Sequence, residues 1–170
     1  MIHILVDGYN FIGRQKGLRG DLEAKRKKLL RDLSRYHQLK GYPVTVVFDG
    51  WRSGWETQHE ERVDQISVIF SKRGEPADVV IARLARKLGA TCVVVTSDRE
   101  VQNAARASGG TAIFSGEFEA RLNSTLSPQM MPGLADRDDL IEETGVSRKK
   151  GNPFRRSKAD RQRNSKLRKL

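Results

Sequence analysis

Short apolar blocks alternate with longer amphipathic blocks along the first 126 residues of the chain. The apolar blocks are rich in β-branched residues and have the length of strands. They predict five strands: Ile2–Val6, Val44–Phe48, Ile66–Phe70, Cys92–Thr96 and Thr111–Phe114. Because helices separate them, we expect a mostly parallel sheet covered on both faces, in which functional residues gather at the carboxyl ends of the strands.

The amphipathic blocks carry the residues at which helices start and stop. Asp21 is placed to cap a helix that runs to about Lys40. Pro76 suits the first position of a second helix, which Gly89 closes. The segment Ser97–Glu100 has the spacing of a capping box and predicts a third helix. A last short helix is marked by Phe118, Leu122 and Leu126.

One segment breaks the alternation of strands and helices. Residues 50–62, GWRSGWETQHEER, join the second and third predicted strands with two tryptophans and no clear period. We expect a loop or a weak helix there. Trp51, Arg52 and Trp55 are suited to stack on bases or to hold a phosphate, since an aromatic face accepts any base. The alternative is that the tryptophans anchor a long loop on the domain.

Composition narrows the class of protein. A chain of 170 residues suits one domain with an appendage. The single cysteine, Cys92, lies in an apolar run, so we expect a buried thiol and no disulfide within the chain. No apolar run reaches the ~20 residues of a membrane span, and the N-terminus lacks the features of a signal peptide. We therefore expect a soluble, cytoplasmic protein.

The net charge of +11 is concentrated at one end of the chain. Residues 1–147 carry 21 Lys and Arg against 20 Asp and Glu, whereas residues 148–170 carry 11 against one. This pattern predicts a near-neutral domain at 1–126, a linker at 127–147 that can dock on it, and a basic, flexible C-terminal tail at 148–170. The tail has too few apolar residues to fold alone.

Three aspartates follow the ends of predicted strands: Asp7 in VDG, Asp49 in FDG and Asp98 in TSD. Each alone also suits a turn or a helix start, where the helix dipole favours a negative charge by ~0.3–1 kcal/mol. Asp78 is a fourth candidate. It falls within the apolar arc of the second predicted helix, so we expect it to point toward the sheet from the first turn.

Four carboxylates gathered at one edge require a counter-ion. Two like charges about 5 Å apart repel by roughly 3 kcal/mol at an effective dielectric constant of ~20, so such a cluster raises its pKa values or binds cations. Oxygen ligands suit Mg²⁺ or Mn²⁺, and such a site can activate water and stabilise a phosphodiester under attack. The three histidines are scattered along the chain, so we expect none of them to be a catalytic base.

The stretches ILVDGYNFI, VVFDG, GEPADVVIARLA and VVTSDRE, in this order, resemble the YacP-like NYN family of PIN-like ribonucleases. The resemblance covers residues 1 to about 125. It implies a three-layer α/β/α fold with five strands in the order 3-2-1-4-5. It also implies a metal-dependent endonuclease that hydrolyses RNA, with ribosome-associated RNA as a candidate substrate. That strand order sets the first and fourth strands side by side, at the topological switch point.

The same resemblance implies site residues, position by position. Asp7, Asp78 and Asp98 match metal-binding acids of the family, and Asp49 matches an acid that varies among PIN-like proteins. Asn10 matches the asparagine of the D-G-Y-N signature, which would orient a carboxylate, a water or a phosphate. The implied cofactor is Mg²⁺ or Mn²⁺.

The basic tail predicts an arm that binds RNA or a ribosome, with a solubilising tail as the alternative. We expect the RNA to be single-stranded, with mRNA among the candidates. The run of basic residues at 25–28 predicts a solvated helix face. The residues expected to contact RNA are Arg148, Lys149, Lys150, Arg155, Arg156, Lys158, Arg161, Arg163, Trp51 and Arg52.

The sequence has two alternative interpretations besides a nuclease. One is a non-catalytic RNA- or ribosome-binding protein that keeps the PIN-like fold, and the sequence alone leaves it open. The other is a phosphatase with Asp7 as its nucleophile. We disfavour it because that chemistry commonly uses a second acid two residues later, where this chain has Tyr9.

Overall fold

The computed structural model describes residues 1–52, 54–127 and 158–169. Within these residues one sheet contains six strands. They are β1 (His3–Asp7), β2 (Val44–Phe48), β3 (His59–Val63), β4 (Ile66–Phe70), β5 (Cys92–Val95) and β6 (Thr111–Ile113). All but β3 are the predicted strands, with ends that differ from the prediction by at most one residue.

The sheet is parallel except at one edge. Its order is β3-β4-β2-β1-β5-β6, and β1 lies in the middle, with Val6 opposite Val46 on one side and Val95 on the other. When β3 is left out, the five predicted strands lie in the order 3-2-1-4-5. This confirms the expected mostly parallel α/β architecture. The winding reverses between β1 and β5, so their carboxyl ends form the topological switch point.

Strand β3 lies in the segment expected to be a loop or a weak helix, and that expectation was wrong for residues 59–63. The strand pairs antiparallel with β4 through a turn in which Asp64 and Gln65 have positive φ angles of 44° and 74°. Its sequence, HEERV, shows no apolar alternation because the strand forms the edge of the sheet and its three central residues are exposed. Residues 59–63 form a strand because they pair with β4, and their own hydrophobic pattern does not predict one.

Helices cover both faces of the sheet. They are α1 (Gly8–Lys16), α2 (Leu22–Lys40), α3 (Ala77–Leu88), α4 (Arg99–Ala107), α5 (Ser115–Leu126) and α6 (Lys158–Lys169). Helices α1, α2 and α5 bury apolar residues in one core, and α3 and α4 bury theirs in the other, so the fold has three layers. None of the described helices is both long and apolar enough to span a bilayer.

The helix ends show which local predictions were right. Asp21 caps α2 by accepting the Ala24 N–H at 2.9 Å, and Gly41 ends it in the left-handed conformation, as expected. Helix α3 begins one residue later than expected, with Pro76 as its N-cap. The predicted capping box at α4 is wrong, because Asp98 is the N-cap and the Ser97 hydroxyl has no hydrogen-bond partner among the described residues.

Helix α1 was not predicted, because the sequence Asp-Gly-Tyr-Asn has the composition of a turn. In the structure Asp7 ends β1 and caps α1 at once, and the helix continues to Lys16. The prediction for Cys92 is confirmed, since its side chain is fully buried in the core between the sheet and helices α3 and α4. Burial raises the pKa of its thiol to about 11.

The end of the basic tail is part of the folded domain. Leu167 of α6 is buried in the same core as α2 and α5. The Tyr42 hydroxyl donates to the Lys169 carbonyl at 2.7 Å, and Arg163 forms an ion pair with Glu117. The expected flexible tail is thus a docked helix over residues 158–169, because the domain supplies the apolar and polar partners that the tail lacks by itself.

Replacing Leu167 by alanine should test whether α6 stabilises the domain. We expect the free energy of unfolding to fall by about 2–3 kcal/mol, because the change removes a buried side chain and leaves a cavity. Urea denaturation of the full chain measures this. The control is Arg168→Ala on the exposed face of the same helix, which should change stability by less than about 0.5 kcal/mol. Equal stabilities of the two variants would show that α6 does not support the fold.

Candidate active site

Four aspartates lie at one edge of the sheet. Asp7 is the last residue of β1, Asp49 directly follows β2, and Asp98 stands three residues after β5. Asp78 lies in the first turn of α3, the helix that follows β4. Because β1, β2, β4 and β5 are parallel, their carboxyl ends and the loops that follow them share this edge.

Asp7 is the most buried of these acids, with 6% of its surface exposed. Its carboxylate accepts hydrogen bonds from the Asn10 N–H at 3.3 Å and from the Thr96 hydroxyl at 3.2 Å. Its pKa is raised to about 6, first by burial and then by the negative charges of Asp78 and Asp98, while the two hydrogen bonds oppose the shift. The fold thus holds a carboxylate in a place that disfavours its charge.

Thr96 links Asp7 to Asp98. Its side chain is fully buried, and its hydroxyl donates to Asp7 Oδ2 and accepts the Asp98 N–H at 3.1 Å. The buried amide of Gln102 fixes the same residue by donating to the Thr96 carbonyl at 2.9 Å. Sequence reasoning used the TSD motif but gave Thr96 no role. The available signal was its place between the end of a strand and a candidate acid.

Asp98 combines a structural role with a free oxygen. Its Oδ1 accepts the N–H groups of Glu100 and Val101, at 2.7 and 3.2 Å, and so caps α4. Its Oδ2 accepts no hydrogen bond from the described residues. Asp49 is similar, since its Oδ1 accepts the Trp51 N–H at 2.9 Å. Each of these two half-buried acids keeps one oxygen available for a ligand.

Asp78 does not point toward the sheet as expected. The buried residues of α3 are Ala77, Val80, Ile81 and Ala85, and this rotation leaves Asp78 exposed. Its pKa is nevertheless raised, first by partial burial and then by the charges of Asp98, Asp49 and Glu100. The smaller contributions of these three charges indicate that the acids lie within electrostatic range of one another. Glu100 is a further acid at this edge that sequence reasoning missed, although it directly follows the TSDR stretch.

The arrangement is looser than a closed metal cage. Across residues 1–52, 54–127 and 158–169, no three His, Cys, Asp or Glu side chains lie close enough together to hold a metal ion. The donor set still fits a hard cation such as Mg²⁺, which commonly keeps several waters and takes one or two protein carboxylates plus substrate phosphate. Free carboxylate oxygens on Asp98 and Asp49, with a buried acid beside them, provide such ligands.

Asn10 joins two loops behind the acids. Its side-chain oxygen accepts the Ser97 N–H at 2.9 Å and the Ser115 hydroxyl at 3.1 Å. It therefore connects the start of α1 with the loop before α4 and with the start of α5. Asn10 thus holds the segment from which Asp98 projects, and its role in orienting a carboxylate, a water or a phosphate stays a prediction.

The glycines that follow Asp7 and Asp49 let these strand ends pack closely. A Cβ atom on Gly8 would lie 2.3 Å from the Phe48 ring, and one on Gly50 would lie 1.5 Å from the Ser71 carbonyl oxygen. Gly50 N–H also donates to the Ser71 hydroxyl at 2.9 Å, which joins the ends of β2 and β4. The repeated Asp-Gly pairs are thus explained by packing as well as by the acids.

The predicted RNA-binding residues fall into three groups. Trp51 follows Asp49 at the acid edge and is 72% exposed. Arg163 is paired with Glu117, so its guanidinium is already engaged within the fold. For the remaining residues, either the whole residue or its side chain lies outside the described part of the structure. They are Arg148, Lys149, Lys150, Arg155, Arg156, Lys158, Arg161 and Arg52.

Comparison with known proteins gives consistent matches. A family model described as YacP-like NYN domain matches residues 4–169. Protein YacP of Bacillus subtilis strain 168 is 37% identical over 103 residues, which cover 56% of this chain and 59% of that protein. The match therefore spans less than two thirds of the relative's length.

Two solved structures resemble this fold. They are crystal structures of Rae1 (YacP) from Bacillus subtilis, one of them a tryptophan-to-leucine mutant, each 30% identical to this chain. The mutant has a TM-score of 0.62, with 74% of this chain and 77% of that chain covered. The other has a TM-score of 0.60, with 74% and 75% covered. These matches agree with an NYN, PIN-like fold.

Asp7→Asn should stabilise the metal-free protein at alkaline pH. The pKa of Asp7 is about 6 in the folded chain against an ordinary value of 3.8, so the native state binds more protons between those pH values. The free energy of unfolding then falls as pH rises through this window, by up to about 3 kcal/mol. Without divalent cations at pH 8, the variant should be about 1–3 kcal/mol more stable than the unmodified protein, and near pH 4 the gain should vanish.

The control is Asp64→Asn, in the β3–β4 turn at the opposite edge, where the positive φ angle suits asparagine. It should leave the pH dependence unchanged. Urea denaturation in EDTA from pH 4 to 8 measures both variants. A loss of stability in Asp7→Asn at pH 8 would contradict the claim that burial disfavours the charged form of Asp7.

Proposed function

This chain belongs to the YacP-like NYN domain family, and from that premise we propose that it is an endoribonuclease that hydrolyses RNA phosphodiester bonds with a divalent cation. The observation that carries the proposal is the placement of Asp7, Asp49, Asp78 and Asp98 at one edge of the sheet, with Asp7 buried at the topological switch point. Burying and gathering acids costs stability without a compensating charge. A cation together with an RNA phosphate would offset that cost.

The residues proposed to hold the cation are Asp7, Asp49, Asp78 and Asp98. When bound, Mg²⁺ or Mn²⁺ would supply activation of water and stabilisation of the charge that develops on the phosphate. Asp98 would present its free Oδ2, since helix α4 fixes the other oxygen. Thr96 keeps the Asp7 carboxylate in place through its hydroxyl. Asn10 would act as a positioning residue by holding the Ser97 backbone.

RNA is the proposed substrate, on three grounds. The family is one of PIN-like nucleases, the acid edge is open, and the chain carries a basic segment at 148–170. Basic residues of that segment would neutralise backbone phosphates, which supplies affinity without sequence preference. Single-stranded mRNA, including RNA on a ribosome, is within the proposal.

A second candidate function has one observation in its favour. The carboxylates do not converge on a common point within the described part of the chain, as a permanently formed metal site would require. A non-catalytic RNA-binding protein with the same fold would also show this arrangement. The cleavage experiment below separates the two functions.

Asp98→Asn should abolish RNA cleavage without unfolding the protein. Asparagine is as good an N-cap as aspartate, so helix α4 keeps its start while the site loses a charge. With Mg²⁺ or Mn²⁺ and a labelled single-stranded RNA, we expect cleavage by the unmodified chain and a rate at least about 100-fold lower in the variant. EDTA should abolish cleavage as well, and retained RNA binding would show that the variant is folded.

Asp64→Asn serves again as the control, since it makes the same chemical change away from the acid edge. It should cleave at the rate of the unmodified chain. Equal cleavage by Asp98→Asn would remove Asp98 from the site. Absence of cleavage by the unmodified chain with either metal, together with tight RNA binding, would favour the non-catalytic function.

A further inference from the structure

The loop after β2 presents a stacked tryptophan to solvent. Trp55 is 43% exposed, and its ring lies parallel to the His59 ring, with centroids 4.2 Å apart and an interplanar angle of 9°. Because His59 covers one face of the indole, the exposed area lies on its other face and edge. A flat aromatic face that is already ordered is the surface on which an unpaired base stacks.

A column of aromatic rings connects this tryptophan to the acid edge. His59 lies 6.2 Å from Phe70, Phe70 stacks on Phe48 at 5.6 Å, and Phe48 lies 5.0 Å from Tyr9, all between ring centroids. Phe70 and Phe48 end β4 and β2, and Tyr9 stands two residues after Asp7. The exposed indole and the carboxylates are therefore mounted on one packed scaffold.

Hydrogen bonds fix the loop in place. The Arg73 N–H donates to the Trp55 carbonyl at 2.9 Å, and the Gly54 N–H donates to the Gly50 carbonyl at 3.1 Å. Farther along, the Arg83 guanidinium donates to the Gln58 side chain at 2.7 Å. Binding of a ligand to Trp55 therefore loses little conformational entropy in the loop, which favours binding. These contacts also mean that backbone and polar groups anchor the loop, while Trp55 stays available.

Two basic residues lie in the turn that contacts Trp55, directly after the carboxyl end of β4. Lys72 and Arg73 occupy an exposed turn between β4 and α3, and the hydrogen bond from Arg73 holds this turn against Trp55. Neither side chain forms an ion pair within the described parts of the chain. Five residues after Arg73 comes Asp78, so the turn lies along the chain between the indole and an acid of the site.

We propose that Trp55 stacks on an unpaired base of the RNA substrate, while Lys72 and Arg73 contact the adjacent phosphates. The RNA is thereby held as a single strand beside the carboxylates. This inference rests on the proposed nuclease function and names the form of RNA that the site takes. Trp51 is more exposed, but it stacks on no ring among the described residues, so it is a weaker platform.

Tryptophan fluorescence tests the stacking directly. The chain has two tryptophans, so the variant Trp51→Phe leaves Trp55 as the sole indole. Titration in EDTA, which prevents cleavage, should quench this fluorescence with a single-stranded oligonucleotide and much less with the matching duplex. The variant Trp55→Phe, which keeps Trp51, should show the weaker response. Absence of quenching in Trp51→Phe would overturn the proposal, as would equal quenching by the duplex.

Cleavage kinetics give a second test. Trp55→Ala should raise KM for single-stranded RNA by about 5- to 150-fold, the measured range for one base–aromatic stack, with kcat within about twofold. Trp55→Phe should recover part of the loss, which separates stacking from misfolding. The control is Leu39→Ala, which truncates an exposed apolar residue of α2. A KM for Trp55→Ala equal to that of the control would overturn the proposal.

Arg73→Gln tests the phosphate contact. It should weaken RNA binding and lower the slope of log affinity against log salt by about 0.7, the value for one phosphate of a single strand. The backbone N–H that holds Trp55 remains in this variant. Arg35→Gln, an exposed arginine of α2, is the matched control and should leave the slope unchanged. Equal slopes in the two variants would exclude Arg73 from the RNA contact.

The two levels of the proposal fail separately. If the unmodified chain never cleaves RNA, the nuclease function is wrong, while the fluorescence experiment still decides whether Trp55 stacks bases. If the chain cleaves RNA and neither the Trp55 variants nor the fluorescence respond, the stacking site is wrong and the nuclease function stands.

Discussion

The repulsion and desolvation of negative charges gathered at one edge of a parallel sheet are the main physical constraint on this structure. The carboxyl ends of β1 and β5 meet at the switch point, and the chain places Asp7 and Asp98 there. Burial, together with the charges of the neighbouring acids, raises the pKa of Asp7 to about 6. Such an arrangement lowers stability in the absence of a compensating charge, and this cost is the physical basis of the proposed cation site.

Neutral donors hold these acids in place. Backbone N–H groups at the starts of α1 and α4 bind Asp7 and Asp98, and the Thr96 hydroxyl connects the two residues. Gly8 allows the Phe48 ring to pack directly against the chain beside Asp7, and Gly50 allows the Ser71 backbone to pack beside Asp49. No arginine or lysine within the described residues forms an ion pair with Asp7, Asp49, Asp78 or Asp98, so no ion pair among these residues offsets the negative charge of the edge.

Hydrophobic patterning predicted the features that depend on burial. The five parallel strands are buried along most of their length, and α2 and α5 bury a regular stripe, so their periods are visible in the sequence. Strand β3 and helix α6 were missed because they are charged elements that depend on the rest of the domain for their partners.

Among the site residues, position at a strand end located Asp7, Asp49 and Asp98. The bridging role of Thr96 and the exposure of Asp78 depend on tertiary geometry that no local pattern contains.

The most direct test of the central claim is a crystal structure of the protein grown or soaked with Mn²⁺, with an anomalous difference map calculated at a wavelength where manganese scatters strongly. The account predicts a peak at the carboxyl edge of the sheet, with at least one carboxylate of Asp7, Asp49, Asp78 or Asp98 as a ligand. A well-ordered edge with no peak at saturating Mn²⁺, or a peak only elsewhere on the molecule, would contradict the claim that these acids are gathered to bind a cation.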